Sequence, residues 1–149
     1  MDYQRAQYGM LTYVLAFFAL AIPGIMFVQG KQIEQWQEAI SPILILPLIF
    51  LLFYKLTITV TREYIKVSFG IGIISFKVKP TKVLSTEIIH PKWWWGIGIR
   101  ITPKGWLYNV AMGPAVLIHY EKEGKRHSLF IGSPEPEVLI SAIHANFQD

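Results

Sequence analysis

The chain has 149 residues, of which 52% are hydrophobic and 16% are charged, and its formal net charge is +4. Soluble domains carry about 25% charged residues, so this composition favours a protein with a membrane-embedded part. The absence of cysteine from the sequence excludes disulfides, thiolate metal sites and a cysteine nucleophile. A basic balance fits either nucleic acid or an anionic membrane surface as a partner.

Two uncharged apolar segments lie in the first third of the chain. The first, residues 9–28, would span about 30 Å as a helix, which is the thickness of the hydrocarbon core of a bilayer. The second covers residues 39–54, and within it Ser41 and Pro42 suit the start of a helix. A buried core helix is rarely apolar on all its faces over this length. The sequence therefore predicts a two-helix transmembrane hairpin in residues 1–55.

The charges that flank these segments predict how the hairpin is oriented. Lysine and arginine are enriched on the cytoplasmic side of membrane proteins. Lys55, Arg62 and Lys66 follow the second segment, whereas the connection between the segments carries Glu34 and Glu38 against one lysine. We therefore expect a multi-pass protein of the inner, cytoplasmic membrane with two spans and both termini in the cytoplasm.

A signal-peptidase site is the alternative interpretation of the first segment. Residues 19–21, Ala-Leu-Ala, resemble such a site. Cleavage there would leave one span, and the remaining domain would still face the cytoplasm.

From Leu56 onwards apolar residues alternate with polar ones. Period-two alternation rich in β-branched residues is typical of strands that bury one face. Turn-forming residues separate roughly seven or eight such segments. Residues 56–149 are therefore predicted to form an antiparallel β-sandwich or partly open barrel.

The end of the chain changes to a helical period. Leu139, Ile143 and Phe147 recur every four residues, after Ser133 as N-cap and Pro134 at the first helical position. This pattern predicts a C-terminal helix over residues 134–147 that caps the β-structure, which makes residues 56–149 an α+β domain.

Three motifs in the second half resemble those of a known family. They are the Gly-x-Gly-Ile-Arg segment of residues 96–100, the Gly-Trp-x-Tyr-Asn segment of residues 105–109, and the Ile-Gly-Ser step of residues 131–133 that leads through Pro136 and Glu137 into the last helix. On these residues the chain resembles the small, membrane-anchored members of the bacterial pleckstrin-homology-like (PH-like) domain family. The resemblance implies a PH-like fold over about residues 56–147 and no catalytic activity. Residues 111–114, Ala-Met-Gly-Pro, depart from the more polar turn that the family pattern would have there.

The residue patterns of common catalytic sites are missing from the sequence. The Gly-x-Gly segments at 70–72 and 96–98 lack the third glycine of a dinucleotide-binding loop. The four histidines have no metal-ligand spacing, although His119 and His127 could face each other across the last hairpin. Aspartate occurs only at positions 2 and 149, so a serine–histidine–aspartate triad would lack its acid. We therefore expect no enzymatic activity, no cofactor and no metal.

Three consecutive tryptophans mark the strongest candidate for a contact site. Either one or two of the indoles cover the β-structure, or the loop reaches lipid headgroups or a protein partner. A stacking platform for nucleic acid is disfavoured because the basic residues are spread thinly. The candidate contact residues are Lys92, Trp93, Trp94, Trp95, Arg100, Trp106 and Tyr108.

These features together predict a function in binding. We expect a membrane-anchored, non-enzymatic interaction module that displays a PH-like domain to a protein partner or to lipid headgroups, with no role for nucleic acid. The alternative is an accessory subunit of a larger membrane complex whose main interface is the hairpin. The small residues Ala16, Ala19, Ala21 and Gly24 would allow close helix packing there.

Overall fold

The computed structural model describes residues 2–30, 32, 34, 37–95 and 98–147, with the side chains at 11, 12, 38, 39, 42 and 93 outside the description. Within this part of the chain there are two sheets, three α-helices and a 3₁₀ turn at Trp93–Trp95. In chain order the elements are β1 (Tyr3–Tyr8), α1 (Met10–Val28), α2 (Gln37–Phe53), β2 (Lys55–Val60), β3 (Ile65–Phe69), β4 (Ile74–Val78), β5 (Lys82–Ile89), the 3₁₀ turn (Trp93–Trp95), β6 (Gly98–Thr102), β7 (Gly105–Asn109), β8 (Ala115–Lys122), β9 (Lys125–Gly132) and α3 (Pro136–Phe147).

The first sheet joins the amino terminus to the strands that follow the helices. Its order is β1-β2-β3-β4, and every neighbouring pair is antiparallel. In β2 and β3 every second residue is buried, as the alternation in the sequence predicts. The buried residues are Leu56, Ile58, Val60, Ile65, Val67 and Phe69.

The second sheet has five strands in the order β5-β8-β9-β7-β6. Its pairs are antiparallel except for β7 and β9, which run parallel with Trp106 opposite Leu129 and Tyr108 opposite Ile131. A parallel pair needs a long crossover, which β8 provides here by lying between β7 and β9 in the chain.

Strand β8, near the centre of the second sheet, is buried on both faces along its first half. Val116 and Ile118 of β8 reach the main core between the two sheets. Leu117, which points the opposite way, joins Leu107 and Phe130 in a smaller cluster on the outer face. Four successive residues of β8 are therefore buried, and the prediction of one polar face does not hold for this strand.

The C-terminal helix α3 is present, but it begins at Pro136 rather than at the predicted Pro134, so Ser133 is not its N-cap. Leu139 and Ile143 are fully buried in the main core. The imidazole Nε2 of His144 lies 2.8 Å from the hydroxyl Oγ1 of Thr86, so a side-chain hydrogen bond links α3 to β5. The Ser133 hydroxyl accepts the backbone N–H of Glu135 just before the helix.

The helices α1 and α2 form a hairpin inserted between two neighbouring strands, β1 and β2. The Gly9 N–H donates to the Tyr54 carbonyl at 2.9 Å, which ties the start of α1 to the end of α2. At the same end, Gly70 lies so close to α2 that a Cβ there would overlap the carbonyl oxygens of Leu51 and Leu52. Only glycine fits this approach, and it also has a φ of 54°.

The prediction of a transmembrane hairpin is wrong. The helices α1 and α2 have 19 and 17 residues, and in the part of the chain that the structure describes no helix is both long and apolar enough to cross a bilayer. The second helix begins at Gln37 rather than at Ser41, so its first turn contains polar residues. The predicted location in the inner membrane, with two spans and both termini in the cytoplasm, depended on this hairpin. That prediction is therefore not supported either.

The predicted fold class also needs correction. In place of a membrane hairpin followed by an antiparallel sandwich or barrel, the described residues form two small sheets, one of them mixed, with three helices. The strand β1 gave no signal because its sequence, Tyr-Gln-Arg-Ala-Gln-Tyr, lacks apolar alternation and lies at a sheet edge. The proposed division of the chain at residue 56 stays a prediction.

Candidate functional site

The three tryptophans form a single 3₁₀ turn rather than a stretch of strand. The Trp95 N–H donates to the Lys92 carbonyl at 2.9 Å and closes the turn. With three residues per turn, successive side chains diverge by about 120°. The indoles of Trp94 and Trp95 therefore point in different directions, which separates their roles. The side chain of Trp93 lies outside the described residues.

Trp95 supports the fold. Its ring lies edge-on to Phe130, with centroids 6.0 Å apart and planes at 77°. It packs on the outer cluster of the second sheet, which also contains Leu107 and Leu117. An edge-to-face aromatic pair contributes about 0.5–1.5 kcal/mol beyond the burial of its area. Trp95 thus covers the outer face of the sheet, as the first interpretation of the loop predicts.

Trp94 presents its indole at the surface, with 57% of the residue exposed. The Lys92 ammonium lies 5.0 Å from its ring centroid, which is within the range of a cation–π interaction. Together they form a small basic and aromatic surface next to the start of β6.

A cleft of about 120 Å³ opens between this turn and β6. The residues that line it are Trp94, Trp95, Arg100, Ile101, Thr102 and Pro103. Ligand pockets for drug-sized molecules occupy about 300–1,000 Å³, so this cleft is too small for a cofactor and has room for one side chain. The exposed Arg100 gives the cleft a cationic wall.

Trp106 lies on the other face of the same pair of strands. The register of β6 and β7 places it directly opposite Ile101, and the two residues are 46% and 75% exposed. Cross-strand neighbours on one face have their Cβ atoms about 5 Å apart, so they form a continuous apolar patch. Sequence reasoning named Trp106 and missed Ile101, because the register was not known.

Tyr108 does not belong to any surface. It is 6% exposed, and its ring centroid lies 4.9 Å from that of Phe76 in the main core. Burial raises the pKa of its phenol above the ordinary value of about 10, and the neighbouring Tyr120 adds to the shift. Tyr108, one of the seven residues predicted to form the contact site, is therefore a core residue instead.

The histidines are engaged in pairs other than the one the sequence suggested. His119 Nδ1 lies 2.7 Å from the Ser128 hydroxyl, while the ring of His127 stacks on Tyr120 at 5.5 Å. The register of β8 and β9 therefore does not place His119 opposite His127. Among the described residues no three potential ligands lie close enough to hold a metal ion.

The most extensive exposed feature lies on α1 and α2. We call it the hairpin surface, and it consists of the exposed apolar residues Met10, Tyr13, Val14, Phe17, Phe18, Leu20, Ile25, Phe27, Val28, Ile40, Leu44, Ile45, Leu48 and Leu51. A shallow groove of about 370 Å³ runs along it, lined by Ala21, Gly24, Ile25, Val28 and Gln29. The sequence predicts membrane spans from these apolar residues, whereas the structure shows them as exposed residues on two helices of 19 and 17 residues.

No family model, curated protein or solved structure matches this chain. The resemblance to PH-like domain proteins therefore rests on the sequence motifs alone and stays a prediction. Gly96 of the first motif lies outside the described residues, whereas Gly98, Ile99 and Arg100 form the start of β6.

Proposed function

We propose that the protein is a non-enzymatic interaction module that attaches to a partner protein through the hairpin surface. The observation that carries the proposal is the exposure of large apolar side chains on both helices, with Phe17, Leu20 and Phe27 among the most exposed. Monomeric proteins rarely expose contiguous apolar patches of more than a few hundred Å², and larger ones mark interaction sites.

The apolar side chains of this surface support the proposal by their number and size. Complete burial of one Leu, Ile or Phe side chain contributes about 1.5–3 kcal/mol. Burial of four such residues would contribute about 6–12 kcal/mol, which is comparable to the roughly 4–15 kcal/mol that association costs in lost translational and rotational freedom. The hairpin surface offers more than four, so a partner can cover it only in part and still bind.

The chemistry of the surface defines the partner. Residues 9–28 contain no charged side chain, so a charged group placed against them would lose water without gaining an ion pair. The groove beside Ala21 and Gly24 gives room for a ridge of side chains from another helix. The partner we propose is therefore an apolar α-helix of a second protein, in agreement with the alternative of an accessory subunit.

The absence of cysteine from the chain allows a site-specific test. A single cysteine at Leu20, labelled with a photocrosslinker, should capture one discrete protein in extracts of the source cells. Ile73 is the matched control, because it is 72% exposed against 79% for Leu20 but lies between β3 and β4. The variant Leu20→Glu, tagged and purified, should lose the same partner, whereas Ile73→Glu should retain it.

Three results would contradict this proposal. Identical crosslinks from positions 20 and 73 would mean that the hairpin surface is not selective. Crosslinks only to a second copy of the chain would assign the surface to self-association. Flotation of the purified protein with uncharged phosphatidylcholine vesicles, together with crosslinks only to lipid, would mean that lipid covers the helices.

A further inference from the structure

The strand β6 presents an open edge of the second sheet. It lies at one end of the strand order, with β7 as its neighbour. In the register of the pair, Thr102 lies opposite Gly105 across a two-residue loop, and such a pair exchanges both hydrogen bonds. Hydrogen-bonded and non-hydrogen-bonded pairs alternate along an antiparallel ladder, so the backbone N–H and C=O of Arg100 also bond to β7. The backbone N–H and C=O groups of Ile99 and Ile101 therefore point away from the sheet.

This edge differs from the opposite edge of the same sheet. At β5 the register is irregular between Val83 and Ser85, and α3 packs against the strand through the hydrogen bond between His144 and Thr86. Irregularities and covering helices are common means of blocking edge-to-edge pairing. Within Gly98–Thr102 there is neither a proline nor an irregular register. Of the two edges of this sheet, β6 is the one that can accept another strand.

The two faces of β6 have different chemistry. On one face, the cleft between Trp94 and Arg100 has a volume of about 120 Å³, which corresponds to about four water molecules. That volume suits one side chain with four or five non-hydrogen atoms, and the arginine wall favours a carboxylate. On the other face, Ile101 and Trp106 offer an apolar patch.

We propose that the outer edge of β6 binds an extended peptide segment by antiparallel strand addition. The residue opposite Arg100 is Asp or Glu and enters the cleft. The residues on either side of it are apolar, lie over Ile101 and Trp106, and exchange backbone hydrogen bonds with Ile99 and Ile101. Strand addition obtains affinity from the backbone and specificity from alternate side chains, and both are present at this edge. This site is separate from the hairpin surface and does not depend on it.

A synthetic peptide tests the proposal on the full chain, kept in a non-ionic detergent so that the hairpin surface does not cause aggregation. The probe is a fluorescent peptide of sequence Ser-Thr-Val-Glu-Val-Thr-Ser, and the measurement is fluorescence anisotropy. We expect saturable binding with Kd below about 1 mM. A peptide with Lys in place of Glu should bind at least about tenfold more weakly, because it would bring like charge to Arg100.

N-methylated peptides separate strand addition from simple charge attraction. In the bound peptide the backbone N–H groups of the two valines donate to β6, whereas the backbone N–H of the glutamate points away from β6. Methylation of the valine nitrogens should abolish binding, and methylation of the glutamate nitrogen should leave it unchanged. Equal binding of the two methylated peptides, or no saturable binding of the unmodified peptide, would overturn the proposal.

Variants of the protein give a second, independent measurement. Arg100→Glu should weaken the Glu peptide and strengthen the Lys peptide, each by about tenfold, which a general loss of structure would not produce. Lys125→Glu is the control, because Lys125 is exposed at the far end of β9. If Arg100→Glu leaves the preference between the two peptides unchanged, the cleft does not bind the acidic side chain selectively and the proposal fails.

Discussion

Replacement of Gly132 by alanine is expected to destabilise the protein through one neighbour, Asn109. An added Cβ would overlap the amide Oδ1 of Asn109 and lie 2.7 Å from its Cγ, whereas ordinary contacts between heavy atoms begin at about 3.5 Å. Asn109 is buried, and its Oδ1 accepts the backbone N–H of Ala111 at 3.2 Å. The amide must therefore move by about 1 Å or more, and its hydrogen bond breaks.

The size of the effect follows from these contacts. Overpacking of a buried site costs about 1–3 kcal/mol, and loss of the hydrogen bond adds about 1 kcal/mol. The sum, about 2–4 kcal/mol, lowers Tm by roughly 6–12 °C for a chain of this length. Thermal unfolding followed by near-ultraviolet circular dichroism measures the shift.

A double-mutant cycle tests whether Asn109 is the cause. Asn109→Gly removes the atoms that the new Cβ would meet, so the double variant should be no less stable than Asn109→Gly alone. The coupling between the two positions should then exceed about 1 kcal/mol, as expected for residues in contact. Additive losses of stability would show that Gly132 matters for another reason and would refute the steric argument.

Three further predictions concern the core and the tryptophan turn. Leu139→Asp should unfold the protein, because it buries an unpaired charge at a cost of more than about 4 kcal/mol, whereas Val138→Asp on the exposed side of α3 should change Tm little. Trp95→Ala should reduce the free energy of unfolding by about 2–3 kcal/mol and Trp94→Ala by less than about 1 kcal/mol, measured by urea denaturation; equal losses would contradict the division of roles. Because burial raises the pKa of Tyr108, its contribution is intact below the unfolded-state pKa of about 10 and is lost as pH rises from there towards the folded-state pKa. Tyr108→Phe should therefore lose less stability than the wild type between pH 9 and pH 11 in a titration of the free energy of unfolding; parallel curves would refute this.

Local sequence patterns predicted the elements whose burial depends on local spacing. The strands β2 and β3 follow from alternation, and the burial of Leu139 and Ile143 in α3 follows from a four-residue period. The parallel pairing of β7 with β9 joins strands separated by the whole of β8, and no short-range period encodes such a pairing. Strand β8 is buried on both faces at its start, so its sequence there is a continuous apolar run without alternation.

The candidate site was only partly predictable because side-chain direction depends on local geometry. Three tryptophans in a strand would alternate, but in a 3₁₀ turn they diverge, so Trp95 covers the sheet while Trp94 is exposed. Tyr108 was assigned to the surface because its motif also contains the exposed Trp106, two positions away on the same face of β7. The sheet is covered at Tyr108 and open at Trp106, and only the packing of the first sheet determines where that cover ends.

The insertion of the hairpin between two paired strands links the proposed attachment surface to the β-structure. The chain enters α1 from β1 and leaves α2 into β2, and these strands are paired from Tyr3–Val60 to Tyr8–Lys55. The hydrogen bond from Gly9 to Tyr54 and the close approach of Gly70 to α2 hold the base of the hairpin against the same sheet. A partner bound to the hairpin surface would thus hold the sheet in a defined orientation rather than on a flexible tether. The β6 edge, at the end of the other sheet, would then face a fixed direction relative to that partner, as a module with two separate binding surfaces requires.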